Sequence, residues 1–164
     1  MRNAIWVLCV FAAIWGAIGL SPFGLPAMAM PIAASAVLVG WTSRIPLPGR
    51  TATEGKRIGR LIAFWSSVQG VAIFAAFALC PLLGIPDAAV PILAIIVGLH
   101  FLPLARGIPV PLYYATGLAL IVQGLGAMLL PGDQRMALVG FTSAVILWVS
   151  SALLIRQVRA WSAG

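Results

Sequence analysis

Six long apolar stretches, almost free of charged side chains, occupy most of this 164-residue chain. A helix needs roughly 20 residues to cross a hydrocarbon core about 30 Å thick, and each stretch comes close to that length. The stretches are continuously apolar and lack the alternation of membrane barrel strands, so they predict helices. We therefore predict an all-α fold, a six-transmembrane-helix bundle that forms one integral membrane domain over residues 1–164. The predicted spans cover about 4–20, 26–43, 61–80, 86–105, 111–130 and 136–155.

The basic residues lie almost entirely on alternate connections between these spans. Charged residues make up only 8% of the chain, and 10 of them are Lys or Arg. Only Arg135 falls on the opposite side, where Asp87 and Asp133 also lie. Because Lys and Arg are enriched in cytoplasmic connections, the pattern predicts a protein of the cell (inner) membrane with both termini cytoplasmic. The net charge of +7 then reflects topology, and we expect no nucleic-acid partner. The basic residues on the predicted cytoplasmic side are Arg2, Arg44, Arg50, Lys56, Arg57, Arg60, Arg106, Arg156 and Arg159.

The first 29 residues have a second interpretation. Arg2, the apolar run after it and the segment Ala27-Met28-Ala29 resemble a signal peptide with its cleavage site. The apolar run is long for a signal peptide, and Pro31 follows the site closely, so we favour a retained first span. Cleavage of residues 1–29 is the alternative.

The outer turns of the first two predicted hairpins have similar sequences. Residues 21–32 align with residues 80–92 with one inserted residue, and both contain Gly-(Leu/Ile)-Pro-x4-Pro-Ile. A fainter third copy is indicated by Val-Gln-Gly at 68–70, which recurs at 122–124. The first, third and fifth spans run in the same direction, so such repeats would be parallel, with their axis along the membrane normal. We predict a bundle built from two or three repeated helical hairpins; chance recurrence of Pro and Gly at hairpin turns is the alternative.

His100 is the only acidic, basic or imidazole side chain well inside a predicted span. It lies six residues before Arg106, roughly 9 Å inside the predicted cytoplasmic boundary. Pro103 cannot donate a hydrogen bond to the carbonyl of Leu99, which leaves an acceptor beside the imidazole. Because a charged ring is costly in hydrocarbon, His100 must find hydrogen-bond partners or stay neutral.

Other polar side chains of suitable depth or helix face could complete a polar pocket around His100. The alternative is structural, with the imidazole and the hydroxyls bonded to backbone carbonyls that hold the helices together. The candidate ligand-binding residues are His100, Gln69, Ser66, Tyr113, Thr116, Gln123 and Ser150.

Gly98, His100, Leu102 and Pro103 form a G-x-H-x-L-P run at the end of the fourth predicted span, and aromatic residues open the next span. This pattern resembles an uncharacterised family of small bacterial multi-pass integral membrane proteins. The resemblance implies a membrane protein of that kind in which His100 is the marked position, and it carries no known activity.

The chain has few of the residue types that form metal sites and catalytic sites, and this limits its possible functions. One His and two separated Cys cannot supply the three or four ligands of a metal site, so we expect no metal and no cofactor. The acids Glu54, Asp87 and Asp133 lie in separate connections, so we expect no catalytic residues and consider an enzyme the least favoured of the three functional interpretations.

We predict a protein that binds or transports a small molecule or ion through a cytoplasm-facing polar cavity around His100. The alternative is a structural or regulatory membrane subunit without transport or catalytic activity. The expected partners are the lipid bilayer, a small-molecule or ion ligand and further copies of the chain in a homo-oligomer.

Overall fold

The computed structural model describes residues 2–43, 52–108 and 110–163, and this part of the chain is almost entirely helical. Arg44 and Arg50 of the predicted basic connection lie outside the described residues, as do the side chains of Arg2 and Arg159. The helices are α1 (Arg2–Leu20), α2 (Leu25–Ser43), α3 (Ala52–Leu82), α4 (Ala89–Gly107), α5 (Leu112–Ala127) and α6 (Gly132–Ala163). Short 3-10 turns at Ser21–Phe23 and Pro86–Ala88 precede α2 and α4.

Five of these helices are long and apolar enough to cross a membrane. The exception among the described helices is α5, whose 16 residues extend roughly 24 Å at 1.5 Å per residue. The all-α prediction is confirmed, and each predicted span overlaps one α-helix. The arrangement of these helices as one membrane bundle stays a prediction.

Helices α3 and α6 are much longer than the predicted spans that they contain. The third helix starts at Ala52 and includes Lys56, Arg57 and Arg60, giving 31 residues. It also continues through Pro81, which we placed in a connection. The sixth helix has 32 residues. Hydropathy indicates which part of a helix can lie in hydrocarbon. The helix itself ends where its backbone hydrogen bonds end. Lys, Arg and Glu are compatible with an α-helix, so a helix can continue through charged residues.

The chain divides into two compact units. Unit 1 comprises Met1–Gly49 and Gly140–Gly164, and therefore holds α1, α2 and most of α6. Unit 2 comprises Arg50–Val139, and holds α3, α4, α5 and the first turns of α6. The prediction of a single membrane domain over 1–164 stays a prediction.

Three side-chain hydrogen bonds link the three helices of unit 1 pairwise. The indole of Trp6 on α1 donates to the Thr42 hydroxyl on α2 at 3.1 Å. The indole of Trp148 on α6 donates to the Ser35 hydroxyl on α2 at 3.0 Å. The Cys9 thiol on α1 lies 3.8 Å from the Ser151 hydroxyl on α6. Where lipid removes most of the hydrophobic drive between helices, such bonds and close packing hold helices together.

Glycine permits close contact between α4 and α5 in unit 2. A Cβ atom on Gly98 would lie 2.6 Å from the carbonyl oxygen of Gly117, and one on Gly117 would lie 2.7 Å from the oxygen of Gly98. A Cβ on Gly124 would meet the carbonyl oxygen of Pro91 at 2.7 Å. Only residues without a side chain fit here, because the colliding atoms belong to the backbone of the facing helix.

The turns on the predicted outer side follow α1, α3 and α5, and they use glycines with positive φ angles or side-chain hydrogen bonds to the backbone. Gly24 and Gly84, which occupy equivalent places in the sequence alignment of the two hairpins, adopt positive φ angles of 86° and 74°. Arg135, the one basic residue predicted on the outer side, donates from Nε to the Leu130 carbonyl at 2.9 Å and from Nη2 to the Met128 carbonyl at 3.0 Å. Its guanidinium therefore satisfies carbonyls just beyond the end of α5, where a cation is also favoured by the helix dipole.

Candidate functional site

His100 bonds to the neighbouring helix of unit 2. Its Nδ1 lies 3.2 Å from the carbonyl oxygen of Trp65 on α3. Because a carbonyl oxygen can only accept, Nδ1 must carry the proton, and in the neutral ring Nε2 is then an acceptor. The imidazole is half-buried and meets the ring of Phe101 edge to face, with centroids 6.2 Å apart. His100 thus joins α4 to α3, and the carbonyl that Nδ1 bonds is that of Trp65 rather than that of Leu99.

A groove of about 570 Å³ lies next to this bond, within unit 2. Trp65, whose carbonyl accepts from His100, also forms part of the groove wall. His100 itself does not line the groove but bonds to the backbone of Trp65, which does. The groove residues are Leu61 and Trp65 from α3, Leu102, Pro103, Arg106 and Gly107 from α4, and Tyr114 from α5.

The groove changes from polar to apolar along the helices. Arg106 and Gly107 lie at the last turn of α4, and Leu102 lies one turn, about 6 Å, further from that end. On α3 the two wall residues are four positions apart, so they stack on one face of the helix. Arg106 therefore lies at the end of α4, and aliphatic and aromatic side chains form the rest of the groove wall. Such a wall suits a ligand with one charged end and an apolar body.

Basic side chains are concentrated at the same end of unit 2, which we call the basic end (Lys56, Arg57, Arg60 and Arg106). The guanidinium of Arg57 donates from Nη2 to the carbonyl of Gly107 at 3.3 Å. A Cβ on Gly107 would collide with the side chain of Leu61. This hydrogen bond and this contact hold the first turns of α3 against the end of α4, so the basic extension of α3 contributes to the shape of the groove.

Three of the other predicted site residues, Thr116, Gln123 and Tyr113, form contacts of their own in unit 2. Thr116 donates to the carbonyl of Leu112 at 3.0 Å, and Gln123 donates to that of Val139 at 3.0 Å. Tyr113 is buried with its ring 5.6 Å from that of Phe101.

The remaining three predicted residues are dispersed. Ser66 is exposed on α3, and Gln69 on the same helix is half-buried. Ser150 belongs to unit 1, where its hydroxyl donates to the carbonyl of Ile146 at 2.8 Å. Within the described part of the chain, the structure brings His100 together with Trp65 and Phe101. A ligand role for the predicted residues stays a prediction.

The groove itself has no motif in the sequence. Arg106 marks only the end of the fourth predicted span, and Trp65 and Tyr114 belong to the third and fifth predicted spans, far apart in the chain. A usable signal was present, because Trp, Tyr and Arg at the end of apolar helices are typical of a membrane–water interface. Among the described residues, no group of three or more His, Cys, Asp or Glu side chains could hold a metal ion.

Comparison with known proteins gives a family and no activity. No curated protein and no solved structure matches the chain. One family match extends over residues 2–157, from the first residue of α1 to within the last turns of α6, and it agrees with the predicted membership of an uncharacterised family. The chain therefore belongs to the family of unknown function DUF7010.

Proposed function

We propose that this protein is a multi-pass integral membrane protein that binds a small molecule in the groove at the basic end of unit 2. The observation that carries the proposal is the groove of about 570 Å³, which has one cationic side chain, two aromatic side chains and an apolar remainder. Small-molecule sites are concave, largely apolar and equipped with few polar groups that orient the ligand. This groove has those properties and lies against the bond between His100 and Trp65.

In this proposal His100 is a positioning residue. The imidazole bonds to the backbone carbonyl of Trp65, and this bond links α3 to α4. The indole of Trp65 does not take part in the bond, so it can form part of the groove wall. The ligand-facing groups of the proposed site are Arg106, Trp65 and Tyr114, and a polar cavity around His100 itself stays a prediction.

Native mass spectrometry of the full-length protein, purified in mild detergent, tests the proposal. We expect wild-type protein to retain a small-molecule adduct that Trp65→Ala loses, because the substitution removes a groove wall and keeps the carbonyl bonded to His100. Phe74→Ala is the matched control, since Phe74 lies on the same helix, is 77% exposed and does not line the groove. An adduct that survives in Trp65→Ala, or its absence from wild-type protein, would contradict the proposal.

The second candidate is a structural or regulatory subunit, and a specific observation favours it. His100 and Gln123 both bond to backbone carbonyls of other helices in unit 2, as expected of residues that only hold helices together. His100→Gln can keep a donor for the Trp65 carbonyl, whereas His100→Leu cannot and should lower the free energy of unfolding by about 1–3 kcal/mol. A purely structural protein would show this stability difference and bind no adduct in any variant. A binding protein would show it together with an adduct that His100→Gln retains.

The membrane arrangement belongs to the same proposal. We infer six spans, location in the inner membrane and cytoplasmic termini, supported by the five long apolar helices and by the basic connections. A repeated hairpin is supported by the positive φ angles of the aligned residues Gly24 and Gly84. A homo-oligomer stays a prediction, for which the oligomeric mass in detergent is the test.

A further inference from the structure

The groove combines a cation at one end with apolar depth. Arg106 is exposed, and among the described residues no carboxylate forms an ion pair with its guanidinium. Leu61, Leu102 and Pro103 contribute the aliphatic wall, and Trp65 and Tyr114 contribute the aromatic one. Tyr114 is 46% exposed although it is aromatic, so its ring is available at the groove surface. An occupant that matches this wall has an anionic head and a long apolar body.

The backbone of the basic end adds little net charge of its own. The end of α4 presents carbonyls, equivalent to about half a negative charge, and the start of α5 presents N–H groups, equivalent to about half a positive charge. These two contributions largely cancel because both helix ends lie at the same end of unit 2. Arg57 further offsets one carbonyl by donating to Gly107. The side-chain cations therefore decide the sign of the local field, which favours an anion.

We propose that the groove binds an acidic phospholipid of the cytoplasmic leaflet, with its phosphate at Arg106 and an acyl chain along Trp65 and Leu102. The inference rests on the proposed function, because it names the ligand class for that same groove. A phospholipid satisfies both requirements at once, since its headgroup is anionic and its chain fills the apolar part. The tyrosine ring of the wall, near the start of α5, would lie at headgroup level, which is where such side chains are favoured.

Lipid competition on the full-length protein tests the inference. Equimolar dioleoyl-phosphatidylglycerol and dioleoyl-phosphatidylcholine are added to delipidated protein in detergent, and bound lipids are counted by native mass spectrometry. We expect wild-type protein to prefer phosphatidylglycerol and Arg106→Gln to lose about fivefold of that preference. Arg106→Lys should retain most of it, because the positive charge remains. Arg156→Gln is the matched control, since Arg156 is also exposed and basic but does not line the groove.

The possible outcomes separate this inference from the proposed function. Equal losses in Arg106→Gln and Arg156→Gln would mean general surface attraction and would overturn the inference. Equal binding of the two lipids by wild-type protein would also overturn it, and the proposed function would stand if Trp65→Ala lost both lipids. If Trp65→Ala kept both lipids at the wild-type level, the lipids would bind outside the groove and the inference would be overturned, whereas the proposed function would still be decided by the adduct that Trp65→Ala is expected to lose.

Discussion

Replacement of Gly98 by alanine should destabilise the protein through the contact between α4 and α5. The new Cβ would lie 2.6 Å from the carbonyl oxygen of Gly117 and 2.7 Å from Cγ1 of Ile121. To restore an ordinary contact of 3.4 Å, the oxygen would have to move about 0.8 Å. It belongs to a helix backbone and cannot rotate away, so α5 must shift as a body. Overpacking of this kind typically costs about 1–3 kcal/mol.

Gly70→Ala is the matched control for this prediction. Gly70 also lies within a helix, but a Cβ there would meet no atom within 4 Å. Both substitutions gain the better helix propensity of alanine, about 1 kcal/mol, so this gain cancels when the two variants are compared. We therefore expect Gly98→Ala to be less stable than Gly70→Ala by about 1–3 kcal/mol.

Unfolding by sodium dodecyl sulfate in mixed micelles, followed by circular dichroism, measures this difference. Gly117→Ala should behave like Gly98→Ala, because its Cβ would meet the Gly98 oxygen at 2.7 Å. If Gly98→Ala and Gly117→Ala unfold at the same detergent fraction as Gly70→Ala, the close contact of α4 and α5 is refuted.

Three further predictions follow from other contacts and from the charge pattern. Arg135→Gln should lower the free energy of unfolding by about 1–3 kcal/mol in the same assay, because two carbonyls beyond α5 lose a charged donor; unchanged stability would refute the capping role. Trp148→Phe and Ser35→Ala should each lower the free energy of unfolding by about 1 kcal/mol. The double variant should lose less than the sum of the two, because both substitutions remove the same hydrogen bond; strict additivity would refute the coupling. In intact cells, a cysteine replacing Asp87 should react with a membrane-impermeant thiol reagent and one replacing Thr53 should not, with Cys9 and Cys80 replaced in both variants. Labelling of the Thr53 variant alone would reverse the topology.

Hydropathy was sufficient to predict the helices of this protein but not their ends. Runs of about 20 apolar residues identify segments that can lie in hydrocarbon, and the described helices coincide with those segments. The extra turns at the start of α3 lie among charged residues, where hydropathy has no signal for a helix. They matter for function, because Arg57 in this extension reaches the end of α4.

For the candidate site, the sequence was sufficient to single out His100 as the one imidazole, within an apolar stretch that holds few other titratable groups. It could not identify the partner of the imidazole, because a backbone carbonyl such as that of Trp65 has no signature in the residue pattern. The groove was also decided by tertiary structure, since Trp65, Arg106 and Tyr114 come from three helices. Their convergence depends on how closely those helices approach, and in α4 and α5 that distance is set by glycines that bring the two backbones into contact. Composition and local pattern therefore determined that the chain forms apolar helices, whereas packing between helices far apart in sequence decided where a ligand could bind.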